Sequence, residues 1–157
     1  DERWVLRTDP ARWSAGECIA HLNLTSAAYI PRLREAIARA RQLEPVTAAR
    51  YRRDPAGWFL SVMIGPLPSI GKMRIGRVNT PAPFVPSGNL PKQLVVSEFK
   101  RLQDELVGIV REGDGLAIDG VFIKSPFGEK ISYNCYSAFV ILPRHQERHL
   151  DQAVAAK

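Results

Sequence analysis

Histidine, cysteine and methionine are scarce in this chain, with three, two and two copies among 157 residues. Two cysteines, Cys18 and Cys135, cannot make a disulfide framework in a chain of this size, so reduced thiols and a cytoplasmic setting are expected. No apolar run reaches membrane length, which argues against a transmembrane helix. The start, "DERWVLRTDP", lacks an initiator Met and the basic-then-apolar run of a signal peptide. The expectation is that the chain was processed or that residues precede Asp1. No internal repeat is visible, and "GKMRIG" is too short and wrongly spaced for a phosphate loop.

What is present fits one domain spanning residues 1–157, with 45% apolar and 24% charged residues. That length can bury a core without covalent support. A net charge of +6 raises the question of nucleic acid. Much of it comes from Arg32, Arg34, Arg39, Arg41, Arg50, Arg52 and Arg53, which read as a solvated helix face and its exit loop. No helix-turn-helix, zinc finger or base-stacking aromatic motif accompanies them, so nucleic-acid binding is not expected.

Ser14 and Glu17 form a Ser-x-x-Glu capping box. Ile19, Leu22, Ala27, Ile30, Leu33 and Ile37 then recur at helical spacing, which predicts a helix over about residues 15–42, kinked near Pro31. Residues 45–91 are rich in Pro and Gly and read as a long connector packed on the domain as the wall of a site. Within it, "AGWFLSVMIG" predicts a short buried helix, and Phe84, Val85 and Leu90 are expected to dock. Leu94, Val95, Phe99, Leu102, Leu106 and Ile109 line one side of a further helix, stopped by a glycine cap at Gly113. "GLAIDGVFIKSPFGEK" reads as a connector with a brief extended stretch. A last helix is expected from near Ser132, kinked or restarted at Pro143. Three long helices and a short one make an all-α bundle.

His145 and His149 are spaced i, i+4 in "RHQERHLDQ", which puts both rings on one helical face. That spacing suits two imidazoles on one transition metal, and it also arises on solvated faces. His21 lies on another helix, beside the apolar stripe, and facing helices are where bundles build metal sites. A core-edge histidine is the plain alternative. Position 146 is Gln, so zincin-type protease chemistry is not supported. Cys18 shares a face with His21 and reads as a small core residue rather than a fourth ligand. Gln152 could touch a metal-bound water or be a surface amide, and Glu17 could orient His21 or simply cap its helix.

"WSAGECIAHLN", "AYIPRLREAI" and "SPFGEKISYNCYSAFVILPRHQERHLDQ" together resemble the DinB-like superfamily, the damage-inducible, YfiT-like four-helix proteins. The matching positions are Trp13, Ser14, Glu17, His21 and Leu22, then His145, His149, Leu150 and Gln152. The resemblance covers both ends of the chain and little of its Pro-rich middle. It implies a four-helix bundle holding one divalent metal (Zn, Ni, Mn or Fe) through His21, His145 and His149, with an open position. The helix that the family places before the Trp-Ser motif is then missing, shortened or replaced by "AGWFLSVMIG", and an incomplete bundle could complete its core as a homodimer.

The resemblance further implies a metal-dependent enzyme, a thiol-dependent S-transferase using a low-molecular-weight thiol or a hydrolase, acting on a small-molecule substrate. A metal held by three imidazoles acts as a Lewis acid and lowers the pKa of a bound water or thiol. The second reading is a non-catalytic metal-binding bundle serving as a binding or stress-response module.

Overall fold

Ser14 and Glu17 start the fold's principal helix as the capping box requires. The Glu17 N–H donates to Ser14 Oγ at 3.2 Å, and the Ser14 N–H donates back to Glu17 Oε2 at 2.8 Å. In the computed structural model, which describes residues 2–46, 51–65, 80–88 and 90–156, this helix follows a single turn, α1 (Glu2–Val5). It is α2 (Ala15–Ala40), and it runs unbroken through Pro31. Then come α3 (Pro55–Ile64), a 3₁₀ turn at Ala82–Phe84, α4 (Lys92–Glu112) and a 3₁₀ turn at Ile118–Gly120. A hairpin of β1 (Phe122–Ser125) and β2 (Gly128–Asn134) leads into α5 (Cys135–Ala155). The architecture is all-α apart from that hairpin. "GKMRIG" and part of the connector lie outside the described residues.

The core forms where α2 packs on both α4 and α5. Tyr29, Leu33 and Ile37 of α2 meet Leu102, Leu106 and Ile109 of α4 and Ala138 and Ile141 of α5. Of the expected stripe on α2, Leu22, Ile30, Leu33 and Ile37 are buried, whereas Ala27 is exposed and Ile19 half-buried. On α4 the outlier is Leu94, which is exposed because Val95, one residue on, takes the inward position. Gly113 does end α4, with φ −79 rather than a left-handed cap. A Cβ there would lie 3.1 Å from both Ile37 Cδ1 and Phe139, so glycine serves close packing.

Three expectations need correction. Helix α5 begins at Cys135 rather than near Ser132, because residues 128–134 pair antiparallel with β1, Tyr133 opposite Ile123 and Ser132 opposite Lys124. Pro143 neither restarts nor ends α5, which is continuous past it. The α3 helix exists, but only Gly57 and Ser61 of it are buried, while Trp58, Phe59 and Val62 are exposed. Small residues at i, i+4 let α3 approach α5 closely, and a Cβ at Gly57 would overlap Ser137. In the connector Phe84 is buried and Leu90 partly so, but Val85 is exposed.

Asp54 ties three elements together. Its Oδ2 caps α3 by accepting the Gly57 N–H at 3.2 Å, and its Oδ1 accepts the Asn134 N–H at 2.9 Å and the Ser137 hydroxyl at 2.8 Å. Asn134 is itself the cap of α5, accepting the Ser137 N–H at 2.8 Å. Burial pushes the Asp54 carboxyl up, but these donors outweigh it and hold the group below its ordinary value. Asp54→Ala is expected to lower unfolding free energy by about 2–3 kcal/mol in urea titration, from one lost helix cap and two unpaired donors at the hairpin exit. A loss below about 0.5 kcal/mol would mean that water replaces the carboxylate at no cost.

No helix among the described residues is long and apolar enough to cross a membrane. Cys18 and Cys135 are both free and buried.

Candidate metal centre

The capping box fixes the rotation of the first turn of α2, so His21, four residues after Glu17, points inward and is only 2% exposed. The box is braced from outside: the Arg7 guanidinium makes a two-pronged ion pair with the Glu17 carboxylate. That hydrogen-bonded guanidinium is the main cause of the lowered Glu17 pKa, ahead of the opposing effect of burial. Glu17 therefore orients the helix start and does not bond to the imidazole.

On α5, His145 and His149 present their rings to His21. Ring centroids are 5.2 Å apart for His21 and His145, 4.5 Å for His21 and His149, and 4.6 Å for His145 and His149. One ligand nitrogen from each of the three lies within 4.8 Å of the other two. The structure thus brings together all three histidines singled out in the sequence. Cys18 stays outside this group as a fully buried core residue, its thiol pushed up to about 11 chiefly by burial. Gln152 acts on His149 only by opposing the lowering of its pKa.

Phe84 supplies the partner that the sequence did not reveal. Its carbonyl lies 2.8 Å from His21 Nδ1. A carbonyl only accepts, so Nδ1 carries the proton and Nε2 keeps its lone pair. That Nε2 lies 3.3 Å from Nε2 of His145. Two imidazole nitrogens about 2.0–2.1 Å from one ion at the tetrahedral angle lie about 3.3–3.4 Å apart, so the pair fits a shared ion. The buried Nδ1 atoms of His145 and His149 have no hydrogen-bond partner.

Aromatic rings enclose the group. Trp13 stacks on His149 at 5.8 Å and 26°, and leans on His21 at 4.8 Å. Phe127, from the hairpin turn, meets His145 edge-on at 5.8 Å and packs against Phe84 at 4.7 Å. The Pro-rich segment and the hairpin therefore both reach the centre. Trp13 was marked beforehand by its place in the motif, and Phe84 as a docking residue of the connector; Phe127 carried no such mark.

Burial is the first cause that lowers all three histidines. It takes His145 to about 2, helped by the charges of His149, His21 and Arg148. It takes His149 to about 3, with His21 and Arg148 adding and Gln152 opposing. It lowers His21 against the raising effect of the Phe84 carbonyl. Three imidazoles held neutral near pH 7 are the protonation state in which histidine binds a metal.

No curated protein and no solved structure matches this chain. A family model described as the DinB superfamily matches residues 1–153, nearly the whole length. The helical bundle, the Trp-Ser start of α2 and the histidine trio at the junction of α2 and α5 agree with that match: the chain belongs to the DinB superfamily.

Proposed function

We propose that this protein binds one divalent transition metal through His21, His145 and His149 and uses it on a small-molecule substrate. The reaction would be S-transfer with a low-molecular-weight thiol, or hydrolysis. The observation that carries the reading is the meeting of three imidazoles, two buried and one half-buried, with the Nε2 atoms of His21 and His145 3.3 Å apart. When bound, the metal supplies Lewis acidity and lowers the pKa of a thiol or water. The chain's own residues do the rest. Phe84 holds the His21 tautomer through its carbonyl, the capping box fixes the turn that carries His21, and Trp13 and Phe127 exclude water from the imidazoles. The two free thiols suit a reducing compartment, the cytoplasm.

Elemental analysis of tag-free protein tests this. About one equivalent of transition metal per chain, restored after chelation by added Zn²⁺, Ni²⁺, Mn²⁺ or Fe²⁺, is expected. Less than about a tenth of an equivalent, with no uptake, would sink it.

A second reading follows from the enclosure of the centre, with His21 at 2% and His145 at 8% exposure. There the metal serves stability in a non-catalytic bundle. A thiol or ester substrate turned over by the loaded protein, and not by the chelated protein, separates the first reading from the second.

A further inference from the structure

Pro55, Trp58, Phe59 and Val62 recur at i, i+3, i+4 and i+7, the spacing that ordinarily turns one face of a helix toward the core. In α3 that stripe faces solvent instead. All four residues are exposed, Trp58 at 54% and Phe59 at 57%. The opposite face carries the small residues Gly57 and Ser61, which seat the helix on α5, with Leu60 and Ile64 partly buried beside them. The helix "PAGWFLSVMI" has no charged side chain of its own. Two aromatic rings and a valine therefore stand in water along one ridge, roughly 15 Å long. Contiguous apolar surface left hydrated in this way marks an interaction site.

The charge around the ridge indicates what covers it. Between Glu44 and Glu98 the sequence has one acid, Asp54, against seven basic residues, so this stretch alone carries the +6 of the whole chain. Asp54 is already committed to the Gly57 and Asn134 N–H groups and the Ser137 hydroxyl. Arg52 and Arg53, both exposed, lead directly into α3. The Arg52 N–H donates to Asp119 at 3.1 Å, and Arg53 reaches along the helix to donate to Ser61 Oγ at 2.8 Å. At the other end Arg144 donates to the Ser61 carbonyl at 2.6 Å, and its guanidinium would lie 2.8 Å from a Cβ placed on Gly65. The exposed acids Glu147 and Asp151 number no more than Arg144 and Arg148 of the same helix.

A second copy of the chain is a poor occupant. Antiparallel pairing of two α3 helices would set Arg52 and Arg53 of one against Arg144 of the other, and parallel pairing would set each end against its like. A bilayer with anionic headgroups complements both parts of the face. Its acyl boundary receives the apolar stripe, its headgroups receive the guanidiniums, and a Trp ring favours the boundary between them. A convex ridge of one helix also needs no preformed groove in so deformable an occupant. We propose that α3 docks on the surface of an anionic lipid bilayer, with Trp58, Phe59 and Val62 entering the interface and Arg52 and Arg53 meeting the headgroups. The docking is peripheral and does not depend on the metal centre.

Flotation of the full chain with lipid vesicles tests this. Partitioning onto phosphatidylcholine vesicles with about 30% phosphatidylserine is expected to exceed that onto pure phosphatidylcholine about tenfold or more, and to be largely lost in about 0.5 M NaCl. Trp58→Ser/Phe59→Ser is expected to lower it about tenfold or more, and Arg52→Gln/Arg53→Gln to remove most of the preference for anionic vesicles. The stripe is exposed, so the first variant is expected to fold, and if it does not, Phe59→Asp alone is read in the same way. No flotation of the wild type with anionic vesicles, or equal flotation of wild type and stripe variant, would overturn the proposal. So would a dimer in sedimentation equilibrium that the stripe variant abolishes, which gives the face to a second copy. Binding to a polyglutamate peptide without binding to vesicles would overturn it as well, and gives the face to an acidic protein.

Discussion

His145→Leu is expected to abolish metal-induced stabilisation while leaving the metal-free protein within about 1 kcal/mol of wild type. The two halves have separate causes. A ligand present at about 100–1,000 times its Kd stabilises the fold by about 3–4 kcal/mol, worth roughly 6–16 °C for a chain of this length. Removing one imidazole of three is expected to weaken the metal about 100-fold or more, which erases most of that shift. Without metal, His145 contributes little that leucine cannot. Its Nδ1 is buried and unpartnered, and its ring contact with Phe127 is apolar. Leucine removes the orphaned nitrogen at similar volume, and the main loss is the 3.3 Å contact with His21 Nε2. Differential scanning fluorimetry with and without Zn²⁺ reads both halves. Equal metal-induced shifts in variant and wild type would show that His145 is not a ligand.

The histidine trio was legible because each member carried a local signal. The i, i+4 spacing placed His145 and His149 on one face, and the capping box set the phase of the helix bearing His21. What holds the trio was not legible. The Phe84 carbonyl and the Phe127 ring arrive from irregular segments, 63 residues away from His21 in the first case. A backbone acceptor leaves no mark in the side-chain pattern.

The misread elements have equally specific causes. Ser132 and Asn134 are both good helix caps, and sequence alone cannot rank them. The hairpin decides, since Ser132 sits opposite Lys124 and its hydroxyl donates to the Ile123 carbonyl at 3.1 Å. Only Asn134, at the end of the ladder, is placed to cap α5. The hairpin itself was hard to see because alternation is confined to four residues of β1, and β2 is exposed until Tyr133. In α3 the apolar residues suggested full burial, but only Gly57 and Ser61 are buried, and Leu60 and Ile64 pack partly buried against the core. Composition reports how much apolar surface a helix carries, and close approach selects small residues regardless.

Acid is expected to destabilise the metal-free protein well above the pH range in which carboxylates titrate. In the folded chain His145 titrates at about 2 and His149 at about 3, against an ordinary value near 6.5. Below about pH 6.5 the unfolded chain binds protons at these rings and the folded chain does not, so stability falls as pH falls. Above that pH both states are neutral there and the effect vanishes. Each imidazole contributes a slope approaching 1.4 kcal/mol per pH unit, so two cost roughly 3–4 kcal/mol between pH 7 and pH 5. His21 shifts in the same direction and adds to the loss. Asp54 and Glu17, whose carboxyls are lowered, also lose their contribution on acidification, but only below about pH 4.5. Urea unfolding at half-unit steps from pH 7.5 to 4.5 separates the two windows. His145→Leu removes one of the three groups, so its mean slope between pH 6.5 and 5 is expected to be shallower by about 1 kcal/mol per unit. A wild-type stability flat across that interval would mean that the imidazoles reach solvent and protonate freely, and that the enclosure by Trp13 and Phe127 does not persist in solution.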